Sequence, residues 1–395
     1  MRIDTIAARQ VPDTRGKPTV EATISAGTLL ATASVPSGKS TGTHEACELR
    51  DPDGSVATAV ANICGEITDR LVGRDCASAD ETDSLLIELD GTPNKSRLGA
   101  NALLAVSIAM MRLFAQTEKK PLWRAIADRA ETKPHAPRLY MNVMNGGVHA
   151  DFRLPFQEYI LVVEGTPSIS YPLAQEMFTK LGERLGDVPM GDEGGYAPTF
   201  ATLEEPFEIL SGLVEEFPRT FIAIDAAASE LYHDGVYRLI GKEYTADKLA
   251  KVYEDMVTRF PLRSIEDPFA EDAAEDFARL TSALGGASLV VGDDFTVTNP
   301  TRIDAAARDK EITAVLIKPN QIGTVREAIG AVQATYRAGF EAIASHRSGE
   351  TSDTFIADFA YGVGAYGIKA GGLGQRERLE KYERLLEIER ETETV

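Results

Sequence analysis

The sequence predicts an α/β barrel preceded by a smaller α+β unit. Seven charged or polar residues, Glu193, Asp225, Glu266, Asp293, Lys318, His346 and Lys369, recur at intervals of 23 to 41 residues through the second half of the chain. Most of them close a short apolar run. Phe221-Ile-Ala-Ile precedes Asp225, Ser288-Leu-Val-Val-Gly precedes Asp293, Ile312-Thr-Ala-Val-Leu-Ile precedes Lys318, and Glu341-Ala-Ile-Ala-Ser precedes His346. Runs of this length, rich in β-branched residues, read as buried parallel strands. Helix-like stretches lie between them, at Ala246–Arg259, Ala273–Ala283 and Val325–Ala338. Strand, polar tip, loop and helix in repetition is the pattern of a barrel whose chemistry sits at the C-terminal strand ends. One acid at a strand end is ordinarily a cap or a salt bridge. Three acids followed by a lysine, a histidine and another lysine make a site.

The N-terminal part has a different rhythm. Residues 17–34 alternate apolar and polar and resume after a glycine turn, which predicts an antiparallel hairpin. Helices are expected at Val56–Leu71 and Asn101–Ala115. The polar, proline-bearing passages Glu118-Lys-Lys-Pro and Lys133-Pro-His-Ala-Pro137 separate this unit, residues 1–125, from a barrel over 135–395. The tail from Arg376 to Val395 reads as a charged helix with a frayed acidic end.

Composition narrows the functional classes. The chain has 395 residues, enough for a barrel plus a second domain, and 43% hydrophobic with 26% charged residues is ordinary for a soluble protein. Its net charge of −20 argues against nucleic-acid and anionic-membrane partners, so an anionic substrate needs a local positive site. Cys47, Cys64 and Cys76 are odd in number and lack metal spacing, which points to a reducing, cytoplasmic compartment. No segment is expected to span a membrane, and the N-terminus lacks the apolar stretch of a signal peptide.

The loop Pro36-Ser-Gly-Lys-Ser-Thr-Gly42 superficially suggests a phosphate loop. That motif needs a glycine five residues before Gly38, where Ala33 stands, and the loop follows a hairpin rather than a parallel strand. Nucleotide binding is rejected. A Gly/Ser loop closing over an anion remains.

These residues, together with Leu98-Gly-Ala-Asn-Ala, Asn145-Gly-Gly-Val-His-Ala, Gln157-Glu158 and Gly191-Asp-Glu-Gly-Gly, resemble the enolase family. So do Ser264-Ile-Glu-Asp-Pro-Phe, Asp293-Asp-Phe-Thr-Val-Thr-Asn-Pro, Lys318-Pro-Asn-Gln-Ile-Gly-Thr and Ser345-His-Arg-Ser-Gly-Glu-Thr. The resemblance runs from Asp13-Thr-Arg-Gly-Lys-Pro-Thr-Val-Glu21 to the C-terminal helix. It implies an N-terminal α+β lid domain, an eight-stranded α/β barrel, two Mg²⁺ ions, and reversible dehydration of 2-phosphoglycerate to phosphoenolpyruvate.

The chemistry accounts for the residue types. Taking a proton α to a carboxylate makes a dianionic enediolate, which concentrated positive charge must stabilise, and hard Mg²⁺ favours carboxylate oxygens. By resemblance, Asp225, Glu266 and Asp293 hold the first ion and Ser40 the second. Lys318 matches the general base, and nearby cations favour its neutral form. Glu193 matches the general acid with Glu158 as its partner, since paired carboxylates retain a proton. Gln157 supports the metal-bound site. Arg347 and Ser348 match a phosphate clamp, and Lys369 matches the carboxylate binder. His149 and His346 match further pocket residues, although a lone histidine is more often structural.

The departures bear on the substrate. Lys39 replaces the family's usual small residue and falls beside Ser40, where it suits an extra carboxylate on the substrate or simply points outward. The Glu158–Glu193 and Asp225–Glu266 intervals are short, Arg376 replaces a serine, and Glu387-Ile-Glu-Arg-Glu391 replaces Arg-Ile-Glu-Glu-Glu. Three readings stand at this point. The first is ordinary enolase. The second is a paralogue dehydrating a phosphonate analogue, such as a carboxyphosphonoenolpyruvate synthase. The third is a binding or structural descendant, which has no need for the intact acid, base and metal set. The resemblance also implies a homodimer joining the region of Arg15 and Glu21 to the C-terminal helix.

Overall fold

The alternation of inward and outward residues along eight short strands organises the molecule. The computed structural model describes residues 1–39 and 42–393, so Ser40 lies outside the described residues. Strands Arg138–Asn145, Glu158–Val163, Thr220–Asp225, Leu262–Glu266, Leu289–Gly292, Ala314–Ile317, Glu341–Ser345 and Gly367–Lys369 close into a barrel in that order. Tyr140, Ile160, Val162, Phe221, Ala223, Val291, Ala314, Leu316 and Ile343 fill its interior. Successive side chains on a strand alternate faces. The next inward position above Ala223 is therefore Asp225, above Val291 it is Asp293, and above Leu316 it is Lys318. The apolar fill aims the polar tips into the mouth.

One strand corrects the expectation of parallel strands. Glu158–Val163 runs antiparallel to both neighbours, pairing Asn145 with Glu158 on one side and Glu158 with Asp225 on the other. The connection before it holds only the 3₁₀ turn Gly147–Ala150 and no crossover helix, so the chain returns directly. The reversal puts the strand's first residue, Glu158, at the end of the barrel where other strands place their last.

Helices cover the outside. Ala246–Arg259 matches its predicted span, and Ala274–Leu284 and Val325–Arg337 lie within one residue of theirs. Between Asp225 and Glu266 the chain also makes a small three-stranded sheet, Tyr232–His233, Val236–Leu239 and Lys242–Tyr244.

The N-terminal unit has the predicted hairpin, Pro18–Ala26 with Leu29–Ser34, plus an unpredicted edge strand, Thr5–Pro12. Only Ile6 of that edge strand is buried, so it shows no apolar alternation. The helical stretch after Val56 is continuous but interrupted by a wider π turn at Ile63–Ile67. Helix Ala79–Asp90 was also unpredicted, although Ser78 and Glu81 cap it reciprocally: Ser78 Oγ accepts from Glu81 N, and Glu81 Oε2 accepts from Ala77 N. Helix Ala100–Thr117 corrects another expectation. It is long and apolar enough to cross a membrane, yet 83% of it is buried inside the protein against the hairpin.

The N-terminal unit is bonded to the barrel by polar contacts. Ser107 Oγ and Asp83 Oδ2 accept from Val325 N and Arg326 N, each at 2.9 Å, and so cap the barrel helix Val325–Arg337 from outside. Lys95 pairs with Glu327 at 2.5 Å. Arg112 grips Asp353 with both guanidinium nitrogens, at 2.6 and 2.7 Å. Removing Arg112 leaves that buried carboxylate uncompensated. Arg112→Met is expected to lower the unfolding free energy by about 3–5 kcal/mol. Urea denaturation checks this, and an unchanged midpoint would show that the pair is dispensable.

Candidate active site

Around the mouth, Asp225, Glu266 and Asp293 follow three adjacent strands, then come Lys318, His346 and Lys369, then Asn145 and Glu158. Lys318 and Glu158 therefore stand on diametrically opposite strands of the ring. Glu193 arrives from a loop, residues 186–204, and joins Glu158 over the mouth. Glu158, Glu193, Asp225, Lys318, His346 and Lys369 line a small pocket together with Lys39, His149, Gln157, Arg347 and Ser348.

Charge dominates its floor. Lys369, buried, places its ammonium 2.8 Å from Glu266, 3.0 Å from Asp225 and 3.1 Å from Glu158. Lys318 pairs with Asp293, whose other oxygen accepts from Gln321 at 3.0 Å. Gln157 donates to Asp225 at 3.3 Å. Burial, and then the charge of Asp225, pushes Glu266 well above the usual carboxylate range. Burial would lower Lys369, but Asp225, Glu158 and Glu266 hold it well above its ordinary value. Burial also opposes charge on Lys318, yet Asp293 outweighs it and raises the ammonium. The neighbouring cations Arg347 and Lys369 act in the opposite direction, toward the neutral amine.

The acid pair lies beside two histidines. Glu193 accepts from Asn142 Nδ2 at 3.0 Å and faces His149 Nδ1 at 3.6 Å and His346 Nε2 at 3.5 Å. Burial pushes both histidines down, His346 well below its usual value. Burial alone would raise Glu193, but His149, His346, Arg378 and Lys369 hold it well below the carboxylate range. Burial and the charge of Glu193 push Glu158 well above it. The two carboxylates are thus pushed in opposite directions, as a close pair that retains a proton requires.

Several partners were not legible as site residues. Glu45 accepts two bonds from Arg347, at 2.9 and 3.1 Å, so the expected phosphate clamp is tied to a carboxylate from the N-terminal unit. Arg15 donates to Ser348 Oγ at 3.1 Å and pairs with Asp13 at 2.7 Å. Arg378 is fully buried behind His346. The segment after Lys369 closes over the loop of Glu193, with Gly372 N donating to Glu193 O at 2.8 Å. A Cβ on Gly372 would lie 2.3 Å from Gly194 O and 2.6 Å from Asn142 O, so only glycine allows that approach.

Five carboxylates, Glu158, Glu193, Asp225, Glu266 and Asp293, share this site with two inward-facing lysines, Lys318 and Lys369. Such an excess of buried negative charge is costly without protons or an added cation. The donors nearest the strand tips are carboxylate oxygens, which suit a hard divalent ion, so Mg²⁺ fits this set. Among the described residues, ligand atoms close enough to share one ion occur at His149, Glu158 and Glu193 and at Asp267, Asp293 and Asp294, whereas Asp225 and Glu266 are paired with Lys369 and Asp293 with Lys318. The group around Asp267 is occupied internally, because Asp267 accepts from Asp293 N and Asp294 N.

Fold and site define an α/β-barrel enzyme in which a lysine faces a carboxylate pair across a rim of acids. Comparison with known proteins narrows the class. The family profile described as "Enolase, N-terminal domain" matches residues 3–126, and "Enolase, C-terminal TIM barrel domain" matches 135–394. Proteins named enolase from Methanopyrus kandleri and Methanocaldococcus jannaschii are 43% and 42% identical, covering 98% of this chain and 95% of theirs. One from Nitratiruptor sp. is 43% identical over 98% of this chain and 96% of its own. The chain belongs to the enolase family, and it is a hydro-lyase.

Lys39, the residue that departs from the family pattern, donates to Asp192 Oδ2 at 2.6 Å and to Val148 O at 2.7 Å. Its ammonium is engaged by protein groups, and the pair is about one-third exposed on each side. Lys39→Ala is expected to cost less than about 1 kcal/mol of stability. A loss above about 2 kcal/mol in urea unfolding would mark the pair as a deeper structural bond.

Proposed function

We propose that this chain catalyses the Mg²⁺-assisted, reversible dehydration of 2-phosphoglycerate to phosphoenolpyruvate. One observation carries the reading: Lys318 and Glu158, with Glu193 beside it, rise from opposite sides of one barrel mouth. A substrate held between them can lose a proton to one face and hydroxide from the other. Lys318 takes the α-proton, and Glu193, with Glu158 as its proton-bearing neighbour, assists departure of the β-hydroxyl. Lys369 binds the substrate carboxylate, where charge grows, and Arg347 and Ser348 bind the phosphate. His149, His346 and Gln157 complete the pocket by hydrogen bonding. Asp225, Glu266 and Asp293 would hold the first Mg²⁺, and Ser40 matches a ligand of a second. The metal would supply positive charge to the substrate carboxylate as it accumulates a second negative charge.

Relatedness supports further assignments: residues 1–125 as a capping domain, 135–395 as the catalytic barrel, a cytoplasmic setting and a homodimer. Arg15, expected at the dimer contact, is engaged within this chain by Asp13, Ser37 and Ser348. No observation favours the phosphonate reading, because the Lys39 ammonium is already paired. A coupled assay comparing 2-phosphoglycerate with its carboxyphosphono analogue tests the choice, and preference for the analogue would reverse it.

The division of labour is testable with solvent deuterium. Lys318→Ala should abolish both dehydration and exchange of the substrate α-proton. Glu193→Gln should abolish dehydration while exchange persists. Loss of exchange in Glu193→Gln alone would exchange the two roles. For the metal, Asp293→Asn keeps the shape and removes one anionic ligand. Activity should fall by on the order of 10–100-fold and recover only partly in excess Mg²⁺, with the circular dichroism unchanged. Full activity at limiting Mg²⁺ would remove Asp293 from the ligand set.

A further inference from the structure

Arg378 lies on the C-terminal helix Arg376–Glu393, with its side chain fully buried. Its guanidinium meets neutral acceptors: Gln375 Oε1 at 2.7 Å, Ser348 O at 3.0 Å, Asp192 O and Arg347 O at 3.4 Å, and Nδ1 of His346. Apart from Gln375, which precedes the helix itself, these acceptors belong to the two loops that carry Glu193 and His346–Ser348. A guanidinium has donors and no acceptor, so the ring nitrogen it touches must offer a lone pair. A neutral imidazole carries one N–H, which is then forced onto Nε2. That nitrogen faces Glu193 Oε2 at 3.5 Å.

We infer that Arg378 is a positioning residue that fixes His346 as its Nε2–H tautomer, so that the imidazole presents a donor to Glu193. The second nitrogen of a functional histidine commonly sets the first in this way. With the opposite tautomer, a lone pair would face the carboxylate and the Glu193 position would lose a donor. The Lys369 carbonyl holds the main chain at His346 in place, accepting from His346 N at 2.8 Å. The effect on turnover rests on the role proposed for Glu193, whereas the tautomer does not.

The chain has five histidines, so ¹⁵N-histidine labelling gives few signals, and a His346→Gln spectrum assigns the one in question. Without substrate at pH 7, His346 in the unmodified protein should show a protonated Nε2 and a bare Nδ1. A protonated Nδ1, an even mixture or an imidazolium would overturn the inference. Arg378→Met should mix the tautomers and lower kcat by on the order of 10–100-fold with KM little changed. Arg378→Lys, which keeps a donor, should recover part of both. A folded Arg378→Met with the original tautomer and kcat would also overturn it, and if that variant does not fold, the unmodified spectrum alone decides. If the expected tautomer appears in a protein that does not dehydrate 2-phosphoglycerate, the proposed substrate fails and the tautomer assignment stands.

Discussion

One buried ammonium, that of Lys369, sets the terms for the rest of the site. It lies within about 3 Å of carboxylates from three different strands. Water cannot solvate those acids at such depth, and without a cation their mutual repulsion would either protonate them or push the strand tips apart. The residue is the last of its strand, and the alternation that buries Ile160 and Ala223 below turns Glu158 and Asp225 toward it. The apolar interior supplies rigidity, and the ammonium lets negative charge gather at its upper edge. Preorganised charge on rigid strand ends is the arrangement that stabilises developing charge without reorganisation.

Much of this was legible in the sequence, for reasons tied to particular residues. Asp225, Asp293 and Lys318 each follow an apolar run, and both strand length and inward alternation follow from that pattern. The direction of the strand Glu158–Val163 was not legible, because Tyr-Ile-Leu-Val-Val reads equally well either way. Only the absence of a helix before it forces the turn back. Thr5–Pro12 escaped notice as an edge strand with a single buried side chain. Ser78 with Glu81, by contrast, carried a readable capping signal for a helix that was missed.

Charged residues that turn inward are the hardest to read. Glu45 and Arg378 occur in stretches that look solvated, and nothing local distinguishes them from neighbours such as Glu377. Their burial depends on contacts across the fold: Glu45 with Arg347, and Arg378 with His346. Periodicity along one element cannot report such partners. The electrostatics of the acid pair were unreadable for the same reason. Glu193 is held low by groups from at least three separate segments, whereas Glu158 faces Glu193 and Asp225 as well as Lys369.

The caps that Asp83 and Ser107 place on the barrel helix at Val325 have a consequence for inheritance. A helix that takes its first hydrogen-bond acceptors from another unit is not self-sufficient, and the same unit supplies the carboxylate that neutralises Arg347. Recombination that exchanged one half of the gene for a distant counterpart would leave open amide groups at that helix and an unmatched guanidinium in the pocket. The two halves are therefore constrained to diverge together, as a single hereditary piece, even though each has a hydrophobic sheet of its own.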